Sequence, residues 1–317
     1  MACSQARSEP TVAARPQPAF SASTIASNSE APSRGPAASS SQALLGAPDA
    51  GADAAPSYDL AADLQARRDL ARRDLGERAT SAVVAGVYLL VFPEGPSQSV
   101  ADARAREGER IVAAFLDGRF AQKPFRAISA YLFTSSAAYQ AFCHKNTGKA
   151  CMSPYGYYEP EDRRILMNGA GLYGTFTHEI VHTFVEADFP EAPTWLNEGI
   201  ASVFEQPYFD GTGIHGAKNW RLPRLMSGLA AEPATVRLGN LFVMSDETFR
   251  GPKEDLNYAF ARYVCQWLDT QGMLWPFYHR YRDTFVKDAT GIAALVATVG
   301  KRPEELDAPF RTWLRAL

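Results

Sequence analysis

A helix that carries His178, Glu179 and His182 among Phe176, Ile180, Val181, Phe184 and Val185 has to place polar, metal-seeking side chains inside an otherwise apolar surface. Positions four apart lie on one helical face, so the two imidazoles project together and Glu179 stands beside them. Buried imidazoles and carboxylates need partners, because an unpaired polar group in an apolar interior costs free energy. One cation would satisfy all three. Two core histidines hydrogen-bonded to their neighbours are the alternative that this spacing alone leaves open.

Two histidines do not complete a catalytic metal site, which usually takes three protein ligands and keeps one position open for water. Glu198 is the candidate third ligand, sixteen positions after His182. Between them lies Asp188-Phe189-Pro190-Glu191-Ala192-Pro193, whose two prolines end one helix and start a second running back beside it. Taken alone, Glu198 also suits the first turn of a helix, where the dipole favours a carboxylate.

The segment Trp195-Leu196-Asn197-Glu198-Gly199-Ile200-Ala201, read with His178-Glu179-Ile180-Val181-His182, resembles the gluzincin metallopeptidases of the MA type. In that family H-E-x-x-H is completed by the Glu of a W-L-x-E-G-x-A segment. The resemblance implies Zn2+ held by His178, His182 and Glu198, with Glu179 as the general base that takes a proton from a metal-activated water. It implies an α+β, zincin-like fold in which an N-terminal mixed sheet with helices lies over the H-E-x-x-H helix and the C-terminal half is mainly helical. It implies an oxyanion stabiliser from the helical half, for which Tyr258, at the start of the periodic run 257–263, is favoured over His215 in the glycine-rich segment 211–216. His144 and His279 have no comparable setting and are expected at the surface.

Two departures bear on activity. Four residues beyond Glu198 some members carry an acidic residue that orients a ligand histidine, whereas this chain has Ser202, leaving Glu205 as a possible substitute. The aminopeptidase signature G-x-M-E-N is absent, which favours an endopeptidase acting on a peptide or protein substrate. The other function that stays open is a non-catalytic or weakly active zinc-containing surface lipoprotein acting as a binding module, and an intact Glu179 argues for the enzyme.

Residues 1–57 are dominated by Ala, Ser, Pro and Gly, too poor in apolar surface to offset chain entropy, and are expected to form a disordered tether. The following 58–317 hold nearly all the aromatic residues and are expected to form the peptidase domain, with an α/β part over 58–170 and a helical part over 171–317. Met1-Ala2-Cys3-Ser4 looks like the tail of a bacterial lipoprotein signal, although the basic and apolar regions of such a signal are missing. A lipidated Cys3 would give a membrane tether and an extracytoplasmic location. The net charge of −3 and the lack of a basic run argue against nucleic acid as a partner, and no apolar run is long enough to span a bilayer.

Cys143 and Cys151 flank a short polar loop and suit a disulfide, with two unpaired thiols as the alternative, while Cys265 reads as a buried free thiol. Periodicity marks helices over 59–78, 99–116, 135–142, 194–205, 256–268, 274–285 and 303–314. Strands are expected over 82–92, 127–134, 155–158 and 163–167. The resemblance makes Arg164-Ile165-Leu166-Met167-Asn168 the exposed edge strand that captures an extended substrate, with a plain interior strand as the alternative.

Overall fold

Tyr88–Phe92 and Ile128–Phe133 are apolar almost throughout and buried at every position, as strands covered on both faces must be. A computed structural model describes residues 58–169 and 171–317. The expected tether over 1–57, with Cys3, lies outside the described residues.

The described residues begin with helix α1 (Leu60–Leu75), capped by the Asp59 carboxylate, which accepts from the Ala61 and Ala62 amides. Strands β1 (Thr80–Val84) and β2 (Tyr88–Phe92) follow, then helix α2 (Gln98–Leu116), strand β3 (Ile128–Phe133) and helix α3 (Ser136–Thr147). After β4 (Gly156–Glu159) and β5 (Arg164–Asn168) comes the motif helix α4 (Thr175–Asp188), then α5 (Thr194–Val203). A small hairpin, β6 (Pro207–Asp210) and β7 (Gly213–Gly216), leads into α6 (Arg221–Ala231) and two short helices, α7 (Leu238–Phe242) and α8 (Asp246–Phe249). Four helices close the chain: α9 (Glu254–Thr270), α10 (Leu274–Thr284), α11 (Ile292–Val299) and α12 (Pro303–Arg315). The protein is thus mixed α and β, with helices predominating.

Five strands form one mixed sheet in the order β1-β2-β3-β5-β4. The inner β2, β3 and β5 are parallel, and both edge strands run antiparallel to their neighbours. Alternate residues of a strand face opposite sides, and the core divides accordingly. Leu89, Val91, Tyr131 and Phe133 pack with Leu64 and Ala71 of α1 and Tyr139 and Phe142 of α3. Tyr88, Leu90, Phe92, Ala130 and Leu132 pack on the other face with Ile111 and Phe115 of α2 and Phe176, Ile180 and Phe184 of α4. The motif helix therefore lies directly against the sheet.

Two expectations are corrected. The stretch 82–92 is not one strand but the β1–β2 hairpin, turned at Ala85 and Gly86, both with positive φ. Such a turn suits Gly at its second position, but Ala rather than Asn or Asp at its first left only a weak signal. Secondly, Arg164–Asn168 is not the edge strand. β5 lies between β3 and β4, and the edge belongs to Gly156–Glu159. The turn through Pro160 sends the returning strand into the parallel place beside β3, leaving the earlier one outside.

The Cys143–Cys151 disulfide closes the loop after α3, and Cys265 is a buried free thiol. No helix among the described residues is long and apolar enough to cross a membrane.

Candidate metal centre

The registration of α4 against α5 sets the site. At its start, the Thr177 hydroxyl accepts from the Gly174 amide at 3.0 Å and donates to the Phe204 carbonyl just past α5 at 2.6 Å. At the other end, Pro193 stands at the N-cap of α5 and the Ala192 amide donates to Phe189, so the connection is a tight turn. The far side of α5 packs on α9. A methyl group at Gly199 would come within 2.7 Å of Cys265 Sγ and 3.0 Å of the Ala261 carbonyl oxygen, so the glycine beside Glu198 permits this approach. Clamped on both flanks, α5 presents Glu198 to α4.

His178, His182 and Glu198 converge there, with one potential ligand atom from each, all within 4.8 Å of one another. Glu198 Oε2 lies 3.6 Å from His178 Nε2 and 3.7 Å from His182 Nε2. Zinc bonds of about 2.0–2.1 Å at tetrahedral angles would put ligand atoms about 3.3 Å apart, slightly closer than Glu198 Oε2 lies to either histidine. Glu198 Oε2 is buried without a hydrogen-bond partner. An orphaned carboxylate oxygen facing two imidazole nitrogens is the mark of a place that a cation fits. The donor set of two nitrogens and one oxygen suits a divalent metal ion.

The outer ring nitrogens are turned to other partners. His182 Nδ1 lies 2.8 Å from Asn197 Oδ1, an acceptor that fixes the Nδ1–H tautomer and leaves Nε2 as the free base. His178 Nδ1 faces Glu205 Oε1 at 3.6 Å. Glu205 is itself held by Arg221, whose Nε and Nη2 donate at 2.8 and 2.5 Å, and by Asn219 Nδ2 at 3.0 Å. Glu205 is thus the carboxylate beside His178, while Ser202 is fully buried and its carbonyl accepts from Arg262.

Glu179 is 7% exposed, and burial pushes its carboxyl up, partly offset by the two histidines. Burial also opposes ionisation of Glu198, but His182, His178 and Arg250 outweigh it and hold that carboxyl well below the ordinary range. For His178 burial disfavours charge, yet Glu198, Glu179 and Glu205 raise its proton affinity to about 9. A pocket that draws a proton this strongly onto an imidazole is one that attracts positive charge in general.

Tyr258, on α9, joins the cluster. Its hydroxyl accepts from Arg250 Nη1 at 3.3 Å, and burial and the Glu198 charge push the phenol up, so it stays protonated. His215 does not join. Its Nε2 lies 2.9 Å from Thr212 Oγ1 and 3.2 Å from Asp210 Oδ1, within its own hairpin. His144 is exposed as expected, but His279 is partly buried, with Nε2 2.5 Å from the Arg119 carbonyl oxygen.

Four polar residues at the site are not marked by the sequence: Asn197, Asn219, Arg221 and Arg250. Asn197 carries a faint signal, since it directly precedes Glu198 on a helix whose other face is buried. Arg221 and Arg250 lie 16 residues beyond Glu205 and 52 beyond Glu198, in a stretch where periodicity marks no element. No protein-family model matches this chain and no curated protein matches it, so its own residues carry the functional argument.

Proposed function

We propose that this protein is a zinc metallopeptidase with a zincin-like fold, acting as an endopeptidase on extended peptide or protein segments. The observation that carries this reading is the convergence of His178, His182 and Glu198 from consecutive helices with Glu179 buried beside them. A purely structural zinc site closes its coordination with four protein ligands and has no need of a neighbouring base.

His178, His182 and Glu198 would hold the ion, which supplies Lewis acidity that makes water nucleophilic near neutral pH. Glu179 takes the proton of the attacking water, a role that suits a carboxyl pushed up by burial, and returns it to the departing amine. Tyr258, protonated and tied to Arg250, is the donor for the negative charge that develops on the scissile carbonyl oxygen. The edge strand β4 has no strand neighbour on its outer side, where an extended substrate would pair, and it packs against α4. Recognition through main-chain hydrogen bonds accepts many sequences.

The test pairs metal analysis with a peptide-library digest of the wild type and Glu179→Gln. The expected result is about one zinc per chain in both proteins, with hydrolysis reduced by about 10²- to 10⁴-fold in the variant. Cleavage by Glu179→Gln at the wild-type rate would remove the base from the mechanism. A metal-free wild type would remove the enzyme reading altogether.

A further inference from the structure

Arg250 follows the short helix α8 and its side chain is 48% exposed, as an ordinary solvated arginine would be. Two carboxylates near it in sequence could satisfy it at the surface: Asp246 Oδ1 lies 3.2 Å from Nε and Glu254 Oε1 3.9 Å from Nη1. Yet its Nη2 turns inward and donates to Glu198 Oε1 at 3.1 Å, while Nη1 donates to the Tyr258 hydroxyl at 3.3 Å. The two oxygens of Glu198 are thereby given different surroundings. Oε1 is occupied by a guanidinium, and Oε2 is buried, unpartnered and aimed at the two Nε2 atoms.

This difference matters for coordination. A free carboxylate can bind an ion through one oxygen or both, and a second oxygen would fill a position that a catalytic centre keeps open for water. A charge-assisted hydrogen bond to one oxygen disfavours two-oxygen binding, because the cation would have to approach that oxygen beside a guanidinium of like charge. The planar fork of an arginine also carries one donor to Glu198 and another to Tyr258 in a fixed relation, which a flexible ammonium cannot do.

We propose that Arg250 is a positioning residue that restricts Glu198 to one-oxygen ligation and holds Tyr258 in register with it. The inference rests on the reading of His178, His182 and Glu198 as a metal centre. It predicts that the coordination number of the bound ion, and not merely the amount bound, depends on a side chain that does not touch the ion.

The experiment uses the full chain with Co2+ in place of zinc, since the intensity of the cobalt visible bands falls as coordination number rises. Wild type, Arg250→Met and Arg250→Lys are compared by cobalt titration, with thermal melting of the metal-free proteins to establish folding. The expected result is cobalt bound by all three, markedly weaker bands for Arg250→Met, and a partial return toward the wild-type spectrum for Arg250→Lys. On a peptide found in the library digest, kcat of the zinc form of Arg250→Met falls by about 10- to 100-fold with KM little changed. If the wild type shows cobalt bands and Arg250→Met reproduces them, the inference fails and the metal reading stands. If the wild type binds no cobalt, the metal reading itself fails and takes the inference with it. A loss confined to KM, and only for peptides with a free C-terminal carboxylate, would make Arg250 a substrate ligand and overturn the positioning role. Should Arg250→Met fail to fold, Arg250→Lys decides, since an unaltered spectrum with unaltered kcat there overturns the proposal.

Discussion

Asp63 and Glu198 are both carboxylates withdrawn from solvent and faced by cations, but one sits in a closed network and the other in an open one. Asp63 accepts from Arg163 through both of its oxygens at 2.5 and 3.1 Å, from Tyr58 at 2.5 Å and from the Ala127 amide at 3.1 Å. Arg163 donates further to the Ala127 carbonyl, and Arg67 binds the Asp162 and Arg163 carbonyls. That cluster pins α1 to the start of β3 and of β5. At Glu198, one oxygen has Arg250 and the other faces two imidazoles without a hydrogen bond, with His178 Nδ1 nearby also lacking one. A network that satisfies every member stabilises the fold, whereas one that leaves a buried oxygen unpaired gives up stability that a ligand can restore. The contrast separates a closed charge cluster from one that could hold an ion, without reference to sequence motifs.

The largest effect on stability should come from opening the closed network. Asp63→Ala leaves Arg163 and Arg67 uncompensated, and with both partners partly shielded the loss should be about 2–4 kcal/mol in urea unfolding. Burial opposes ionisation of Asp63, but hydrogen bonds from Arg163 and Tyr58 outweigh it and bring the group from 3.8 to about 2. Because the folded-state value is depressed, this contribution is present above about pH 4 and is lost as the pH falls toward 2. Asp63→Asn should therefore flatten the stability profile in that window. An unchanged slope there would mean that Asp63 is not the group responsible.

A smaller effect is expected in the support of the open cluster. Asn197→Ala removes the acceptor that fixes the His182 tautomer, and metal affinity should fall by about 10- to 100-fold with the melting temperature of the metal-free protein unchanged. Undiminished affinity in a competition titration against a chelator would show that Asn197 only fills space.

The smallest effect should sharpen the comparison most. In chelator-treated protein, Glu198→Ala should cost about 1–2 kcal/mol in urea unfolding, less than Asp63→Ala, because His182, His178 and Arg250 favour the charge but Oε2 has no hydrogen bond to lose. The same truncation should cost less at Glu198 than at Asp63. If the two cost the same, the distinction between closed and open clusters does not hold.

What could be read from the sequence follows the range over which each interaction acts. His178, Glu179 and His182 are fixed by helical spacing, and Glu198 by a short turn with two prolines, so the core of the site was legible. Its outer partners were not, because Arg221 and Arg250 reach it only once α6, α8 and α9 have packed. Elements failed for local reasons too. In α6, Pro223 and Gly228 speak against a helix, yet Pro223 lies in the first turn, where a missing amide costs nothing. Gly228 lies where a methyl group would come within 2.4 Å of Leu256 Cδ1, so packing with α9 outweighs its low propensity. The order of β4 and β5 in the sheet was invisible for the same reason as Arg250, since it depends on which strand takes the slot beside β3.

The contact between Gly199 and Cys265 also reaches beyond one molecule. The space that a side chain at 199 would need is already filled by the sulfur at 265 and by the Ala261 main chain, so the two positions draw on a single allowance of volume. Across descendants of this sequence they are expected to drift together: a lineage that gains a methyl group at 199 must lose atoms at 265 or let α9 move away. Since Glu198 rides on the same turn of α5, the freedom of an uncharged, chemically silent pair in the core sets how far the candidate ligand position itself can evolve.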